Sequence, residues 1–321
     1  MKILVTGGLG LIGHNVVERL EQLGHEVVIV DTKTTYGIIP QSEINYLISE
    51  RTKKIKSRFL FDMDISDSNL NFLMKSHQPD IVIHMASFPR QKVVNANPQL
   101  GSKTMSEGLL NLLEASVLEK VKKFVYISSS MVYGDFTDDV VEDYDCKPQG
   151  QYGIMKLAGE WLTKDYARKY GMKYTVIRPS AVYGPLDVED RVIAKFMLQA
   201  MRGEVLKVNG ADETLDFTYV DDAADGIVAA ALNSNADNKT YNITKSHSRT
   251  LLDAAKLAVS IVGKGSIEVR GKDADFPSRG ALSIDAARRD FGYDPKVDVE
   301  EGFQKYYEWL STSPYWQAKV K

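Results

Sequence analysis

Two groups of side chains in the middle of the sequence have types and spacings suited to chemistry. The run Ser128–Ser130 follows the apolar stretch 124–127, and Tyr152 precedes Lys156 by four residues. Residues four apart on a helix share one face, so the tyrosine and the lysine are expected to lie one turn apart. The serine hydroxyls are interpreted either as turn residues or as groups that hold a reacting oxygen.

A glycine-rich stretch near the start of the chain is typical of a dinucleotide-binding turn. It follows a short apolar strand and precedes a segment of helical periodicity. Glycines let the backbone turn tightly and approach a pyrophosphate, while the N–H groups of the helix N-terminus face its negative charge. The alternative, a tight turn without a ligand, fits this context less well. Cofactor contacts are predicted at Gly7, Gly10, Leu11, Ile12 and Gly13.

Asp31 ends the second predicted strand, and its position indicates which dinucleotide binds. It follows the glycines by about 20 residues, where a carboxylate accepts a hydrogen bond from the adenosine ribose 2′-hydroxyl. The 2′-phosphate of NADP would meet like charge at this carboxylate, so NAD is the predicted cofactor. Lys33 is close enough in sequence to weaken that discrimination.

The ends of two further strands complete the predicted cofactor cleft. Asp64 and Ile65 end the third strand, where an adenine would rest. Ala86 and Ser87 follow the fourth strand, at the carboxyl edge where ligands bind in parallel sheets. Ala86 is predicted to contact the cofactor and Ser87 the substrate, whereas His84 is expected to pack in the interior.

Tyr152 needs help from its surroundings to act as a base at neutral pH. Its reference pKa is about 10, and lowering it by about three units requires about 4 kcal/mol of differential stabilisation. The Lys156 ammonium and a positively charged nicotinamide ring both favour the phenolate. A tyrosine and a lysine four apart also occur on ordinary amphipathic helices, so the pair requires support from the rest of the chain.

The order of elements that must position these residues predicts an α/β protein. Short apolar strands near 3–5, 27–30, 59–61, 81–83 and 124–127 alternate with helical segments, which is typical of βαβ units and a buried parallel sheet. The predicted fold is a Rossmann-type doubly wound parallel sheet with a smaller, mixed C-terminal substrate lobe. Residues 1–179 plus about 221–243 are assigned to the NAD-binding domain, and about 180–220 plus 244–321 to the substrate lobe. Residues 32–57 are expected to form a loop with a helical piece.

Composition excludes several other classes of protein. The chain has 321 residues, 44% of them hydrophobic, and a formal net charge of −3, which argues against binding to nucleic acid or an acidic membrane. One cysteine excludes an internal disulfide, and five scattered histidines show no metal-ligand spacing, so no metal is predicted. With no room for a signal peptide before the first strand and no long apolar run, a cytoplasmic location is expected.

Taken together, the motifs resemble the extended short-chain dehydrogenase/reductases, and more narrowly their nucleotide-sugar epimerase/dehydratase branch. The resemblance covers nearly the whole chain. The motifs that carry it are Thr6–Gly13, Asp31, Asp64, His84–Ala86, Ser128–Gly134, Tyr152 with Lys156, Arg178–Pro185, Asp216–Asp222 and Phe291–Pro295.

The resemblance implies a role for each matching position. Tyr152 would take the proton from a sugar hydroxyl, usually at C4, while NAD takes the hydride. Lys156 would bind the nicotinamide ribose and lower the tyrosine pKa. Ser129 falls at the family's active-site Ser/Thr, with Ser130 beside it as a further substrate contact, and Arg279 falls where an arginine binds the diphosphate of the sugar nucleotide.

One departure from the family pattern bears on the reaction. In the related 4,6-dehydratases the active-site Ser/Thr is followed by an acid pair, which moves a proton on C5 and expels the 6-hydroxyl as water. Here the two positions are Ser130 and Met131, and a methionine neither donates nor accepts that proton. Two further departures, Met105 and Leu215 in place of the usual asparagine and arginine, argue against copying a galactose-type assignment.

The resemblance therefore implies an NAD-dependent enzyme that oxidises a nucleotide-linked sugar at C4, as a 4-epimerase or a 4-dehydrogenase, and not a 4,6-dehydratase. A GDP- or UDP-linked hexose or heptose is the expected substrate. A reductase of small carbonyl compounds and a non-catalytic NAD-sensing protein remain as alternatives. A homodimer is expected through helices near 98–119 and 152–169, where Leu109, Leu112 and Leu113 serve either the contact or the core.

Overall fold

A seven-stranded parallel sheet forms the centre of the molecule. The computed structural model describes residues 1–34, 39–88, 91–273 and 276–320. The strands lie in the order β3-β2-β1-β4-β5-β6-β9, the doubly wound arrangement predicted from the sequence. Their bounds are β1 (Lys2–Thr6), β2 (Glu26–Asp31), β3 (Leu60–Asp62), β4 (Ile81–His84), β5 (Lys123–Ile127), β6 (Lys173–Pro179) and β9 (Lys239–Ile243).

Helices cover both faces of this sheet and build most of the remaining chain. They are α1 (Leu11–Gln22), α2 (Gln41–Thr52), α3 (Leu70–His77), α4 (Gln91–Ala96), α5 (Pro98–Ser102), α6 (Leu109–Leu118), α7 (Gly150–Tyr170), α8 (Val192–Met201), α9 (Val220–Leu232), α10 (Leu251–Val262), α11 (Asp285–Phe291), α12 (Val299–Thr312) and α13 (Pro314–Val320). A π-helical stretch, Lys103–Gly108, joins α5 to α6. Within the described ranges, none of these helices has the length and apolar character needed to cross a membrane.

The apolar strands dictate where the core lies. Strands β1, β4 and β5 are buried on both faces, so their side chains enter two separate apolar layers. One layer packs against α1 and α9, and the other against α3 and α6. A third cluster, formed mainly by α8, α10 and α12, is the core of the region after the sheet.

Two small sheets lie outside the central one. Strand β8 (Thr214–Asp216) pairs antiparallel with β10 (Ser248–Thr250), and β7 (Val205–Asn209) pairs in parallel with β11 (Ser266–Arg270). The elements of the large sheet fall within the residues predicted for the NAD-binding domain, and the small sheets fall within those predicted for the substrate lobe. The lobe boundaries themselves remain a prediction.

The polar segment 32–57 contains the expected helical piece, α2, although residues 35–38 lie outside the described part. Buried Arg51 donates from Nη1 to the Leu9 carbonyl (2.8 Å) and from Nη2 to the Leu186 carbonyl (2.6 Å). Tyr46 stacks on Tyr315 of α13 with ring centroids 4.4 Å apart. Helix α2 therefore connects the glycine turn with the start of the substrate lobe and with the last helix.

The third strand is shorter than predicted. It ends at Asp62, not at Asp64 and Ile65. The Asp64 carboxylate accepts hydrogen bonds from the backbone N–H and the hydroxyl of Ser66, both at 2.8 Å. This local turn competes with the ladder and ends the strand two residues early.

Candidate active site

Helix α7 lies unusually close to the end of strand β5, because two glycines face it. A Cβ on Gly159 would overlap the Tyr126 phenol oxygen, and a Cβ on Gly153 would lie 2.7 Å from the Met131 carbonyl oxygen. Glycine at both positions allows the helix backbone to approach the strand and the serine turn. The side chains of residues 152–160 are thereby brought over residues 127–131.

The last residue of β5 and the two residues that follow it each lie close to one residue of α7. The Ile127 carbonyl accepts from Lys156 Nζ (2.7 Å), and Ser128 Oγ donates to Glu160 Oε1 (2.6 Å). The Ser129 hydroxyl lies close enough to the Tyr152 phenol to lower the pKa of that phenol. The structure thus brings together the three predicted catalytic residues, Ser129, Tyr152 and Lys156.

Burial shifts the pKa values of Tyr152 and Lys156 in opposite directions. Burial raises the pKa of Tyr152, while the positive charge of Arg191 and the hydrogen bond from Ser129 oppose the rise. Burial lowers the pKa of Lys156 to about 7, and the Glu160 carboxylate opposes that fall. Side chains with perturbed pKa values that lie together in one cleft are typical of functional sites.

The serine turn beside this pair has two differently placed hydroxyls. Ser129 begins a short 3-10 helix and accepts a hydrogen bond from the Met131 N–H (3.2 Å). Ser130 is buried, and its hydroxyl donates to Ser180 Oγ (3.2 Å) in the interior. Ser130 thus has an interior hydrogen-bond partner, and its role as a substrate contact remains a prediction.

Arg279 reaches the same turn from the other side. Its Nη1 lies 3.4 Å from Met131 Sδ, a weak acceptor, and its Nε has no hydrogen-bond partner among the described residues. Burial lowers the pKa of this guanidinium to about 10, against the attraction of Glu213. A partly buried cation with so poor a set of acceptors among the described residues is suited to binding an anion.

An apolar cluster forms the wall next to Tyr152. Buried Phe88, Val94 and Met105 pack with Tyr152 and Met155. Met105 comes from the π-helical stretch between α5 and α6, a geometry often found at functional sites. This wall removes water from one side of the phenol.

The glycine turn fits a dinucleotide. Gly7 has a left-handed φ of 70°, and a Cβ on Gly13 would overlap the Gly7 carbonyl oxygen, so larger residues do not fit either position. No side chain among the described residues caps the N-terminus of α1 at Gly10. The first-turn N–H groups of Leu11, Ile12 and Gly13 are therefore available to a pyrophosphate.

Asp31 lies next to this turn. Its two carboxylate oxygens accept from the backbone N–H groups of Leu9 (2.9 Å) and Lys33 (2.8 Å) and retain lone pairs for a ribose hydroxyl. The Lys33 ammonium pairs instead with Asp62 at 3.2 Å. The charge of Lys33 is thus paired with a carboxylate other than Asp31.

The other predicted cofactor residues lie around the same edge of the sheet. Ala86 N–H donates to Thr6 Oγ1 (3.2 Å), and Ser87 lies directly after it with a hydroxyl bonded to the Phe88 carbonyl (3.4 Å). Ile65 is buried under α6, and Asp64 is engaged in its own turn. The structure leaves the predicted contacts of Asp64 and Ile65 with adenine untested.

His84 packs in the interior, as expected. One ring nitrogen shares a 2.8 Å hydrogen bond with Thr6 Oγ1, and the ring lies beside Phe124 and Tyr126. Burial and the Lys156 charge lower its pKa to about 3, so the imidazole is neutral.

Sequence reasoning missed a buried ion pair beneath the site. Glu160 accepts from Arg178 Nε (2.9 Å) and Nη2 (2.7 Å), and both residues are almost fully buried. Arg178 also donates to the Tyr133 hydroxyl (2.9 Å). One signal was available, since Glu160 continues the four-residue spacing of Tyr152 and Lys156.

Comparison with known proteins agrees with this geometry. The chain is 28% identical over 320 residues to an uncharacterized UDP-glucose epimerase of Bacillus subtilis, with 97% of this chain and 98% of the relative covered. It is 30% identical over 353 residues to the dTDP-glucose 4,6-dehydratase of Shigella flexneri, with 100% and 96% covered. The UDP-glucuronic acid 4-epimerase of Bacillus cereus, solved with UDP-glucuronic acid and NAD, superposes with a TM-score of 0.89 at 28% identity, with 97% and 99% covered.

The description of the matching family model is "NAD dependent epimerase/dehydratase family", and the match spans residues 3–244. The resemblance inferred from the motifs, the predicted fold and the predicted dependence on NAD are thereby confirmed. With three-quarters of its length matched and the tyrosine, lysine and glycine turn in place, the chain belongs to the NAD dependent epimerase/dehydratase family.

Proposed function

We propose that this protein oxidises the C4 hydroxyl of a sugar carried on a nucleoside diphosphate, and that it does not eliminate water from the sugar. The observation that carries the proposal is the pairing of an intact Ser129–Tyr152–Lys156 group with Met131 at the position of a catalytic acid. A thioether has no proton to give and is too weak an acceptor to take one from carbon. The residues needed for oxidation are therefore present, while the acid needed for dehydration is replaced by Met131.

The residues divide the work of oxidation in a simple way. Ser129 holds the reacting oxygen, and the Tyr152 phenolate takes the hydroxyl proton. When bound, NAD supplies the acceptor for the hydride that leaves C4. Lys156 binds the nicotinamide ribose through its ammonium and stabilises the phenolate by its charge. The apolar wall around Met105 keeps this proton transfer away from bulk water.

Arg279 supports a diphosphate-linked substrate. Its poorly satisfied guanidinium lies beside the serine turn, so a phosphate bound there is linked to a sugar close to Tyr152. A planar guanidinium can donate two parallel hydrogen bonds to one phosphate group. A bound anion also offsets the desolvation of the guanidinium. A reductase of small carbonyl compounds does not use such a cation, and a non-catalytic NAD sensor does not need the tyrosine–lysine pair.

Similarity to the relatives does not distinguish between the possible products of this protein. They include 4-epimerases and a 4,6-dehydratase, and the catalytic residues of a 4-epimerase and a 4-dehydrogenase are the same. The proposal covers both, with a 4-keto sugar either reduced again on its other face or released. A hexose or heptose linked to UDP or GDP is the proposed substrate class.

A panel of nucleotide sugars, incubated with the protein and NAD, tests the proposal. We expect one member of the panel to yield a 4-epimer or a 4-keto sugar by NMR, and borohydride to trap the keto form as two C4 alcohols. The C6 hydroxyl should remain. Tyr152→Phe is the matched control and should give no product on the same timescale. A product with a new C6 methyl beside a 4-keto group would show elimination and contradict the proposal.

A homodimer is part of the proposal. The residues Leu109, Leu112 and Leu113 are fully buried and belong to the core. The outer faces of α6 and α7 instead expose Leu118 and Trp161, the latter with 65% of its surface accessible. Large exposed apolar side chains on two neighbouring helices suit a contact with the same pair of helices in a second copy.

A further inference from the structure

The buried carboxylate of Glu160 has no assigned part in the chemistry described above. It lies one helical turn after Lys156, as Lys156 lies one turn after Tyr152. Its side chain is almost completely inaccessible, and ionised carboxylates are rarely buried unless they are paired. A buried carboxylate of this kind is expected to have a specific structural or electrostatic role.

The contacts of Glu160 connect three elements. Oε1 accepts from Ser128 Oγ, directly after β5, at 2.6 Å and from Arg178 Nε on β6 at 2.9 Å. Oε2 accepts from Arg178 Nη2 at 2.7 Å, while Lys164 Nζ lies 3.7 Å away on the same helix. The carboxylate is therefore fixed from both sides, and it fixes α7 against both strands.

Glu160 is also placed to act on the charge of Lys156. Among the described residues, the Lys156 ammonium has one hydrogen-bond acceptor, the Ile127 carbonyl at 2.7 Å, and it also lies 5.3 Å from the Tyr126 ring and 6.0 Å from the Tyr152 ring. A lysine buried among aromatic rings and a single carbonyl tends to lose its proton. The carboxylate one turn away counteracts that tendency.

We propose that Glu160, clamped by Ser128 and Arg178, is a positioning residue that sets the register of the catalytic helix and keeps Lys156 in its cationic form. The ammonium is the form that donates to a ribose and stabilises a phenolate, whereas a neutral amine does neither well. This inference rests on the proposed role of Lys156 in binding NAD.

Other charged or titratable groups surround this cluster from several elements. They are Tyr126 on β5, His84 on β4, Tyr152 and Lys164 on α7, Arg178 and Tyr174 on β6, Arg191 before α8, and Tyr133, Glu142 and Cys146 on the connecting loop. His84 is neutral at neutral pH. Burial acts to lower the pKa of Arg178, but its bonds to Glu160 hold it above the usual value, so its charge does not change near pH 7. The pH dependence near neutrality is therefore assigned to Lys156.

The pH dependence of NAD affinity, measured by titration calorimetry without any sugar, tests this inference. In the parent protein we expect NAD binding to weaken as the pH rises through the Lys156 transition near 7. Loss of a charge-assisted hydrogen bond corresponds to about a 10-fold or greater rise in Kd. Glu160→Gln keeps the shape of the side chain and removes its charge, so the transition should move to lower pH by about one unit.

Two control variants make the outcomes distinguishable. Glu160→Asp retains the charge and should keep a transition near that of the parent, and Lys156→Met should abolish the transition. If Lys156→Met behaves like the parent, the assigned role of Lys156 is wrong and the inference falls with it. If Lys156→Met loses the transition but Glu160→Gln matches the parent, the inference alone is overturned.

Glu160→Gln leaves Arg178 without its partner and is at risk of misfolding, which far-ultraviolet circular dichroism and thermal unfolding would reveal. If the variant misfolds, a second measurement on the parent protein tests the inference. The Lys156 Nζ signal of 15N-lysine-labelled protein, assigned by its loss in Lys156→Arg, is followed by NMR as the pH changes. Buried lysines without a counter-charge titrate at about 5 to 6. A midpoint of about 6.5 or above supports the inference, and a lower midpoint overturns it.

Discussion

At the scale of single residues, the phenol of Tyr152 and the hydroxyl of Ser129 differ in what they contribute. Tyr152→Phe removes the proposed proton acceptor, and positioned bases contribute about 10²- to 10⁴-fold in rate. We expect kcat to fall by that order while NAD binding and folding persist. Ser129→Ala removes one positioning hydrogen bond and should cost less. Steady-state rates, compared with NAD affinities by calorimetry, check both; a larger loss from Ser129→Ala would reverse the assigned roles.

Asp31 is predicted to discriminate between cofactors through its charge. Asp31→Ala removes the acceptor for the ribose 2′-hydroxyl and the repulsion of a 2′-phosphate. NAD affinity should fall and NADP affinity should rise, so their ratio moves toward one. Calorimetric titration of both cofactors measures this ratio. Asp62→Ala, which frees Lys33 and removes a negative charge near Asp31, is a comparison that retains the carboxylate at 31. Equal affinities for the two cofactors in the parent protein would contradict the prediction.

Arg279 is expected to act on substrate affinity. Hydrogen bonds to charged groups contribute about 1.5–3 kcal/mol, so Arg279→Met should raise KM by about 10- to 100-fold. Arg270→Met is a matched control, because Arg270 is exposed on β11 and pairs only with Glu268 among the contacts described for it. An unchanged KM for Arg279→Met would remove the main support for a diphosphate-linked substrate and favour a small carbonyl compound.

At the scale of elements, the close approach of α7 to β5 depends on Gly159. Gly159→Ala places a methyl group on the Tyr126 phenol, and overpacking of this kind typically costs about 1–3 kcal/mol. The helix should move outward, lowering both the free energy of unfolding and kcat. Gly271→Ala is the control, since a Cβ there meets no atom of the described residues within 4 Å and the backbone is not left-handed. Denaturant unfolding and initial rates together check the prediction; equal stabilities of the two variants would refute it.

The elements also show how far the sequence can be interpreted. The buried strands, the glycine turn, Asp31 and the Tyr152–Lys156 spacing follow local patterns, so they were predictable. Strands β7, β8, β10 and β11 were not, because short strands in two-stranded sheets have no distinctive period. Neither was the Glu160–Arg178 pair, since its members lie on different elements and meet only through the fold. In the sequence, Arg178 was identified only as the first residue of the Arg178–Pro185 motif.

At the scale of the whole molecule, the exposed faces of α6 and α7 predict assembly. Trp161→Glu introduces a charge at the centre of the proposed contact and should convert a dimer into a monomer, because burying an unpaired carboxylate is costly. Light scattering at micromolar concentration measures the mass. Val269→Glu, an equally drastic change at a half-exposed position on β11, should leave the dimer intact. A parent protein that is monomeric at this concentration would contradict the proposal.

The exposure of Trp161 also has an optical consequence. Of the three tryptophans in the chain, Trp316 is fully buried and Trp309 packs beside it, whereas Trp161 stands in solvent on a single subunit. An indole in water emits at longer wavelengths than one in an apolar surrounding. Dilution of the protein should therefore shift its fluorescence to the red in step with dissociation, and this native signal reports subunit association without any attached dye.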